Sequence, residues 1–227
     1  MSKKYRLLRI MAVVLVSSIV LPLSGCITVN RLKKEAQQKG VVIENLNREV
    51  KNLNVEVTAL QRERSRLQQT QDQLQQKLQR EIETKQIILE KQDKGLVVTV
   101  LAEVLFDPGK AEIKSQFKKS LGKIIEVLKE NVPDKQIIIE GHTDSDPIRH
   151  SRSKWKSNWE LSSARANSII HYFIRPGKFD AKRLSSAGYG SQRPVTSNKT
   201  KRGKARNRRV EIVIIPQDLV KEKAGGK

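Results

Sequence analysis

At 227 residues the chain is long enough for two ordinary domains, yet only 37% of it is hydrophobic and 4% aromatic, too little for two packed cores. One globular domain plus extended structure is the expectation. Forty-five Lys and Arg against 24 Asp and Glu give a formal charge of +21, and removing Lys3, Lys4, Arg6 and Arg9 with a leader leaves 41 − 24 = +17, so an anionic partner is expected.

Residues 1–9 hold four basic side chains and no acid, and residues 10–29 then run without a charge, the pattern of an export signal. A run of that length also suits an uncleaved anchor helix. In both cases the basic flank favours a cytoplasmic N-terminus and export of the remaining chain. Leu23-Ser24-Gly25-Cys26 resembles a bacterial lipobox, which implies cleavage after residue 25 and acylation of Cys26. Several acyl chains on one residue anchor stably in a lipid bilayer, at about 0.8 kcal/mol per buried methylene. Ile27 replaces the Asp of an inner-membrane retention signal, which points to the periplasmic face of the outer membrane. As the only cysteine, Cys26 excludes an internal disulfide. Residues 26–40 are read as a linker.

Residues 41–92 contain no Pro or Gly, and Leu46, Leu53, Leu60, Leu67 and Leu74 recur every seven positions. Ile43, Val50 and Val57 hold the companion position, and Leu78 continues it after polar Arg64 and Gln71. The spacing predicts a coiled coil over 41–94, on the order of 75–80 Å from residue 41 to 92, with a stutter from Leu78 to Ile82 and a homo-oligomer, parallel dimer or trimer.

After Gly95, residues 96–105 (LVVTVLAEVL) read as a strand, broken by Phe106-Asp107-Pro108-Gly109. Ile113, Phe117, Leu121, Ile124, Ile125 and Leu128 form a helical core stripe. Residues 136–140 read as a short buried strand that ends in GHTD (residues 141–144). Ser157 and Glu160 form a capping box for a second helix, whose buried face is Ala166, Ile169, Ile170 and Phe173. Residues 183–187 and 210–215 complete a two-layer α/β domain of order βαβαββ with a mixed sheet, residues 95–216, followed by a basic tail, 217–227.

Asp144 at a strand end and Arg165 in the next helix are separated by a polar loop that can fold back, so the two side chains can meet. Such a pair suits a zwitterion, an ammonium on the acid and a carboxylate on the guanidinium fork. Spacing alone favours an ordinary ion pair joining loop to helix. The basic run 199–209 has no interleaved aromatics and no nucleic-acid module around it, so no nucleic-acid partner is expected. His142, His150 and His171 lack metal-ligand spacing, and no nucleophile motif is present, so neither a metal, a cofactor nor an enzyme is expected.

GHTD, SNWELSSARA (157–166), GYGSQRPV (188–195) and NRRVEI (207–212) occur in one order and resemble the OmpA-like peptidoglycan-binding domain of OmpA, Pal and MotB-type proteins. The resemblance implies that Asp144 and Arg165 hold the free ammonium and carboxylate of diaminopimelate in peptidoglycan. It places Asn158 and Leu161 in the same pocket and counts Asn207 and Arg208, of the matching C-terminal motif, among the ligand-binding residues. Lys204 stands where that motif usually has Arg. The resulting expectation is a noncatalytic outer-membrane lipoprotein tethering membrane to wall. The alternative is a MotB-like stator or another inner-membrane-anchored wall binder, although residues 10–29 carry no ionisable side chain besides Cys26.

Overall fold

The computed structural model describes the backbone of residues 3–149 and 151–216, and side chains from Val29 onward in that range. The expected leader, the acylation site Cys26 and the basic tail 217–227 lie outside the residues described in full, as does His150. The chain divides into two units, 1–60 and 61–227.

In the first unit the chain is part of helix α1 (Lys3–Lys77). From residue 41 to its end the helix holds no Pro or Gly and is rich in straight-chain and Leu residues, types that lose little side-chain freedom in a helix. Its apolar side chains, Leu46 and Leu53 among them, lie about half exposed.

The second unit begins with the last turns of α1 and does not behave as a spacer. Leu74 and Leu78 are fully buried in the domain core, with Leu67 and Ile82 packed against it. Each fully buried leucine contributes roughly 1.5–3 kcal/mol. Polar contacts flank this seam. Glu63 pairs with buried Lys135 at 2.6 Å, Arg66 with Asp134 at 3.0 Å and Lys77 with Glu126 at 2.9 Å. The expected coil to residue 94 is corrected here. The helix stops at Lys77, the short α2 (Gln79–Glu83) comes next, and residues 87–92 are a strand.

The stop after α2 has a specific cause. Gln86 N–H donates to Glu81 O and Lys85 N–H to Ile82 O, both at 2.9 Å, with Lys85 at φ 57°. This is a Schellman turn with lysine in the left-handed position usually taken by glycine.

Strand β1 (Ile87–Gln92) then pairs antiparallel with β2 (Gly95–Leu101) through a two-residue turn, Asp93-Lys94. The expected strand 96–105 ends earlier than read, because Ala102–Leu105 forms the one-turn helix α3. Helix α4 (Ser115–Asn131), β3 (Ile137–His142), α5 (Asn158–Ile174), β4 (Leu184–Gly188), α6 (Lys201–Asn207) and β5 (Arg209–Ile214) complete the unit. The sheet order is β1-β2-β5-β3-β4, with only β3 and β4 parallel. It is a mixed sheet as expected, with one more strand than the order βαβαββ provides.

Alternation sorts the strand side chains between the two faces. Val98, Val100, Ile137, Ile139, Ile212 and Ile214 join Phe117, Leu121, Ile124 and Leu128 of α4 and Ile169 and Phe173 of α5 in one core. The opposite face carries the buried polar residues Glu140, His142, Arg209 and Glu211.

Candidate functional site

Helix α5 sits close to the sheet because two glycines let it. A Cβ on Gly141 would collide with the Ser162 carbonyl, and one on Gly188 with Ser163. The helix starts where its capping box placed it. Ser157 Oγ accepts from Glu160 N–H, while the Glu160 carboxylate accepts from Lys156 N–H, one residue earlier than the usual reciprocal bond. This position carries Leu161 and Arg165 to the sheet end where β3 delivers Asp144.

Asp144 and Arg165 line one cavity of about 530 Å³, with Asn158, Leu161 and Arg208 in its wall. They do not form the direct ion pair that spacing allowed. Asp144 is instead bound by Arg208, Nη1 to Oδ2 at 2.6 Å, and its other oxygen accepts from Asp146 N–H at 3.0 Å. Arg208 also lies 3.8 Å from Glu103. Asn158 lines the cavity, yet its amide is occupied in holding the loop, donating to Asp144 O and Asp146 O. Lys204 closes on the same loop through Asp146 at 2.6 Å.

Arg165 is 5% exposed. Its Nε donates to Lys110 O at 3.0 Å, and its guanidinium lies 5.1 Å from the Phe106 ring centre. Among the described residues no carboxylate lies within ion-pair distance of it. Burial, with the nearby charge of Arg208 adding to it and Asp144 opposing, pulls its pKa down to about 10. It remains a cation at neutral pH, in a place that lacks full compensating negative charge. A carboxylate entering the cavity meets that need by a two-pronged bond.

Asn207 corrects one expectation. It is fully buried and does not line the cavity. Its Oδ1 accepts from Val195 N–H and Thr196 N–H, and its Nδ2 donates to Thr196 O and Asn198 Oδ1. All four hydrogen-bonding sites of the amide are consumed in shaping the turn before α6, leaving none for a ligand. Its neighbour Arg208 is the member of that motif that reaches the cavity.

The Phe106-Asp107-Pro108-Gly109 segment was legible only as a strand breaker, yet it forms a cavity wall. Trp155 Nε1 donates to Gly109 O at 2.8 Å and so fastens the 145–157 loop to it. Trp159 is half exposed.

On the opposite sheet face, Glu140, His142 and Glu211 bring ligand-type atoms within 4.8 Å of one another. Both carboxylates already bind Lys94, and Glu211 also binds Arg209 at 2.5 Å. Side chains therefore fill the cation role there. Burial lowers the Lys94 pKa, but its two carboxylate partners outweigh that and raise it. His142 is stacked on Tyr189 at 5.3 Å between ring centres, and neither ring nitrogen has a hydrogen-bond partner among the described residues.

The fold and the motif positions define an OmpA-like domain, and the OmpA family model matches residues 105–208. The chain is 41% identical over 141 residues to Motility protein B of Bacillus subtilis, covering 62% of this chain and 51% of that protein. It is 31% identical over 140 residues to the probable lipoprotein YiaD of Escherichia coli, covering 62% and 60% respectively. The match to the B. subtilis protein thus spans about half of that relative's length. Among solved structures, the cell wall anchor of the type VI secretion system (T6SS) of Pseudomonas aeruginosa superposes with a TM-score of 0.56 at 32% identity, over 63% of this chain and 97% of that one.

Proposed function

We propose that this chain is a noncatalytic cell-envelope anchor whose OmpA-like domain binds the diaminopimelate of peptidoglycan. Arg165 and Arg208 take the carboxylate and Asp144 takes the ammonium. The observation that carries this reading is the buried Arg165 guanidinium, without a carboxylate partner among the described residues, in the same cavity as the Asp144–Arg208 pair. Leu161 supplies an apolar wall for the ligand's methylenes. Anchoring is by acylated Cys26 in the outer membrane, a reading supported by the lipobox and by the similarity to a probable E. coli lipoprotein. Self-association through α1 multiplies wall contacts, so avidity offsets the weakness of one small site.

The test is cosedimentation with purified sacculi. Arg165→Ala and Asp144→Ala are expected to lower retention at least tenfold, since each loses a charge-assisted contact worth about 1.5–3 kcal/mol. Unchanged retention in both removes the pocket from the reading.

A second reading, an inner-membrane-anchored wall binder of the motility-protein type, is favoured by the 41% identity to Motility protein B. Mass analysis of the native N-terminus separates the two. An acylated Cys26 supports the lipoprotein, and a retained Met1 supports the anchor helix.

A further inference from the structure

Glu140 and Glu211 lie directly opposite each other on β3 and β5, and His142 and Arg209 form the next opposed pair on the same face. Two carboxylates in opposed positions repel, so the sheet holds them only with positive charge close by. Lys94 and Arg209 supply it. Lys94 Nζ bonds Glu140 Oε2 at 2.6 Å and also bonds Glu211 Oε2, while Arg209 Nε bonds Glu211 Oε1 at 2.5 Å.

These two cations are not held alike. Arg209 is buried and tied by further bonds to Asn207 O and Arg193 O. Lys94 enters from the two-residue turn between β1 and β2, and its side chain is 36% exposed. It can withdraw into water without opening the fold. His142 is also set apart from the ion pairs around it. Its Nε2 comes within 3.9 Å of Glu140 Oε2 and 4.0 Å of Glu211 Oε1, yet neither ring nitrogen has a hydrogen-bond partner among the described residues. A buried polar atom left unpaired costs folding free energy, and the Lys94 ammonium does not relieve it.

We propose that Glu140, His142 and Glu211 form a site for a zinc-class divalent metal ion, capped by Lys94, whose ammonium swings into solvent as the ion enters. The three residues bring ligand-type atoms within 4.8 Å of one another. One imidazole nitrogen with two carboxylate oxygens suits zinc and its neighbours, whereas calcium and magnesium ask for more oxygens than this cluster offers. Donors about 2.0–2.2 Å from zinc stand about 3.4 Å apart on a tetrahedron, so the imidazole and carboxylates need to close up by only about half an ångström. The ion replaces one positive charge between the carboxylates by two and takes the lone pair of His142 as well. The ligands come from two strands that the sheet sets side by side, which is why histidine spacing along the chain did not show them. The site does not depend on what the cavity binds.

The experiment uses the full chain in detergent with Cys26→Ser, which removes the only thiol, stripped of metal by a chelator, dialysed and titrated calorimetrically with zinc chloride. A single saturable equivalent per chain is expected. His142→Phe is expected to weaken it at least tenfold, as loss of a ligand does, and His171→Gln to leave it within about twofold. Lys94→Gln removes the competing ammonium at an exposed turn and is expected to tighten binding about tenfold, with a larger zinc-induced rise in the unfolding midpoint than in the parent. The His142 ring resonances are expected to shift on zinc addition in both proteins. No saturable uptake by Lys94→Gln, affinity unchanged by His142→Phe, affinity lost in His171→Gln, or unmoved His142 resonances would overturn the proposal.

Discussion

His142 is 2% exposed, stacked on Tyr189, and set 3.9 Å and 4.0 Å from the carboxylates of Glu140 and Glu211. Burial, and then the positive charge of Arg209, lower its pKa from 6.5 to about 3. The unfolded chain therefore takes up the proton near pH 6.5, while the folded chain does not until about pH 3. Across that window the unfolded state holds more protons, so stability is full above pH 6.5 and is lost as pH falls toward 3. At about 1.36 kcal/mol per unit the whole window is worth roughly 5 kcal/mol, and the part lost between pH 8 and pH 5 is about 2 kcal/mol. Glu211 is also held below its ordinary value; burial opposes this, but Lys94 and Arg209 outweigh it. Its stabilising contribution is lost only below pH 4.5, so measurements at pH 5–8 isolate the histidine. Urea unfolding of the wild type and of His142→Phe, which keeps a ring against Tyr189, is the assay. The wild type is expected to lose about 2 kcal/mol more than the variant between pH 8 and pH 5. Parallel pH curves for the two proteins would refute the buried neutral imidazole.

Leu74→Ala is expected to cost about 2–5 kcal/mol in chemical denaturation, the range for a leucine deleted from a packed core; a cost near zero would mean that the helix end does not belong to the domain. Lys85→Gly relieves the left-handed backbone at the Schellman turn and is expected to raise stability by about 0.5–1 kcal/mol, visible as a higher unfolding midpoint. Asn207→Ala leaves buried backbone groups unpaired and is expected to cost about 2–4 kcal/mol while sacculus retention, measured well below the unfolding midpoint, falls less than threefold. Retention lost in a fully folded Asn207→Ala would restore that residue to the ligand site.

Local chemistry was legible in the residue order. The capping box at Ser157 and the apolar stripe of α4 both depend on neighbours a few positions away, and each lies where the order of residues places it. The acid at Asp144 and the guanidinium at Arg165 were legible for the same reason, as charged groups at the end of a buried strand and in the following helix. What covers an apolar stripe is a different matter. A repeat of 3.5 residues and a helix face of 3.6 are nearly the same pattern over two turns, so Leu67 and Leu74 look like Leu46 and Leu53 until the domain closes over one set and leaves the other exposed. Ion-pair choice is likewise tertiary. Asp144 takes Arg208, 64 positions away, because β5 lies beside β3 in the sheet. That pairing brings a second guanidinium to the cavity and leaves Arg165 against Phe106, without a carboxylate partner among the described residues.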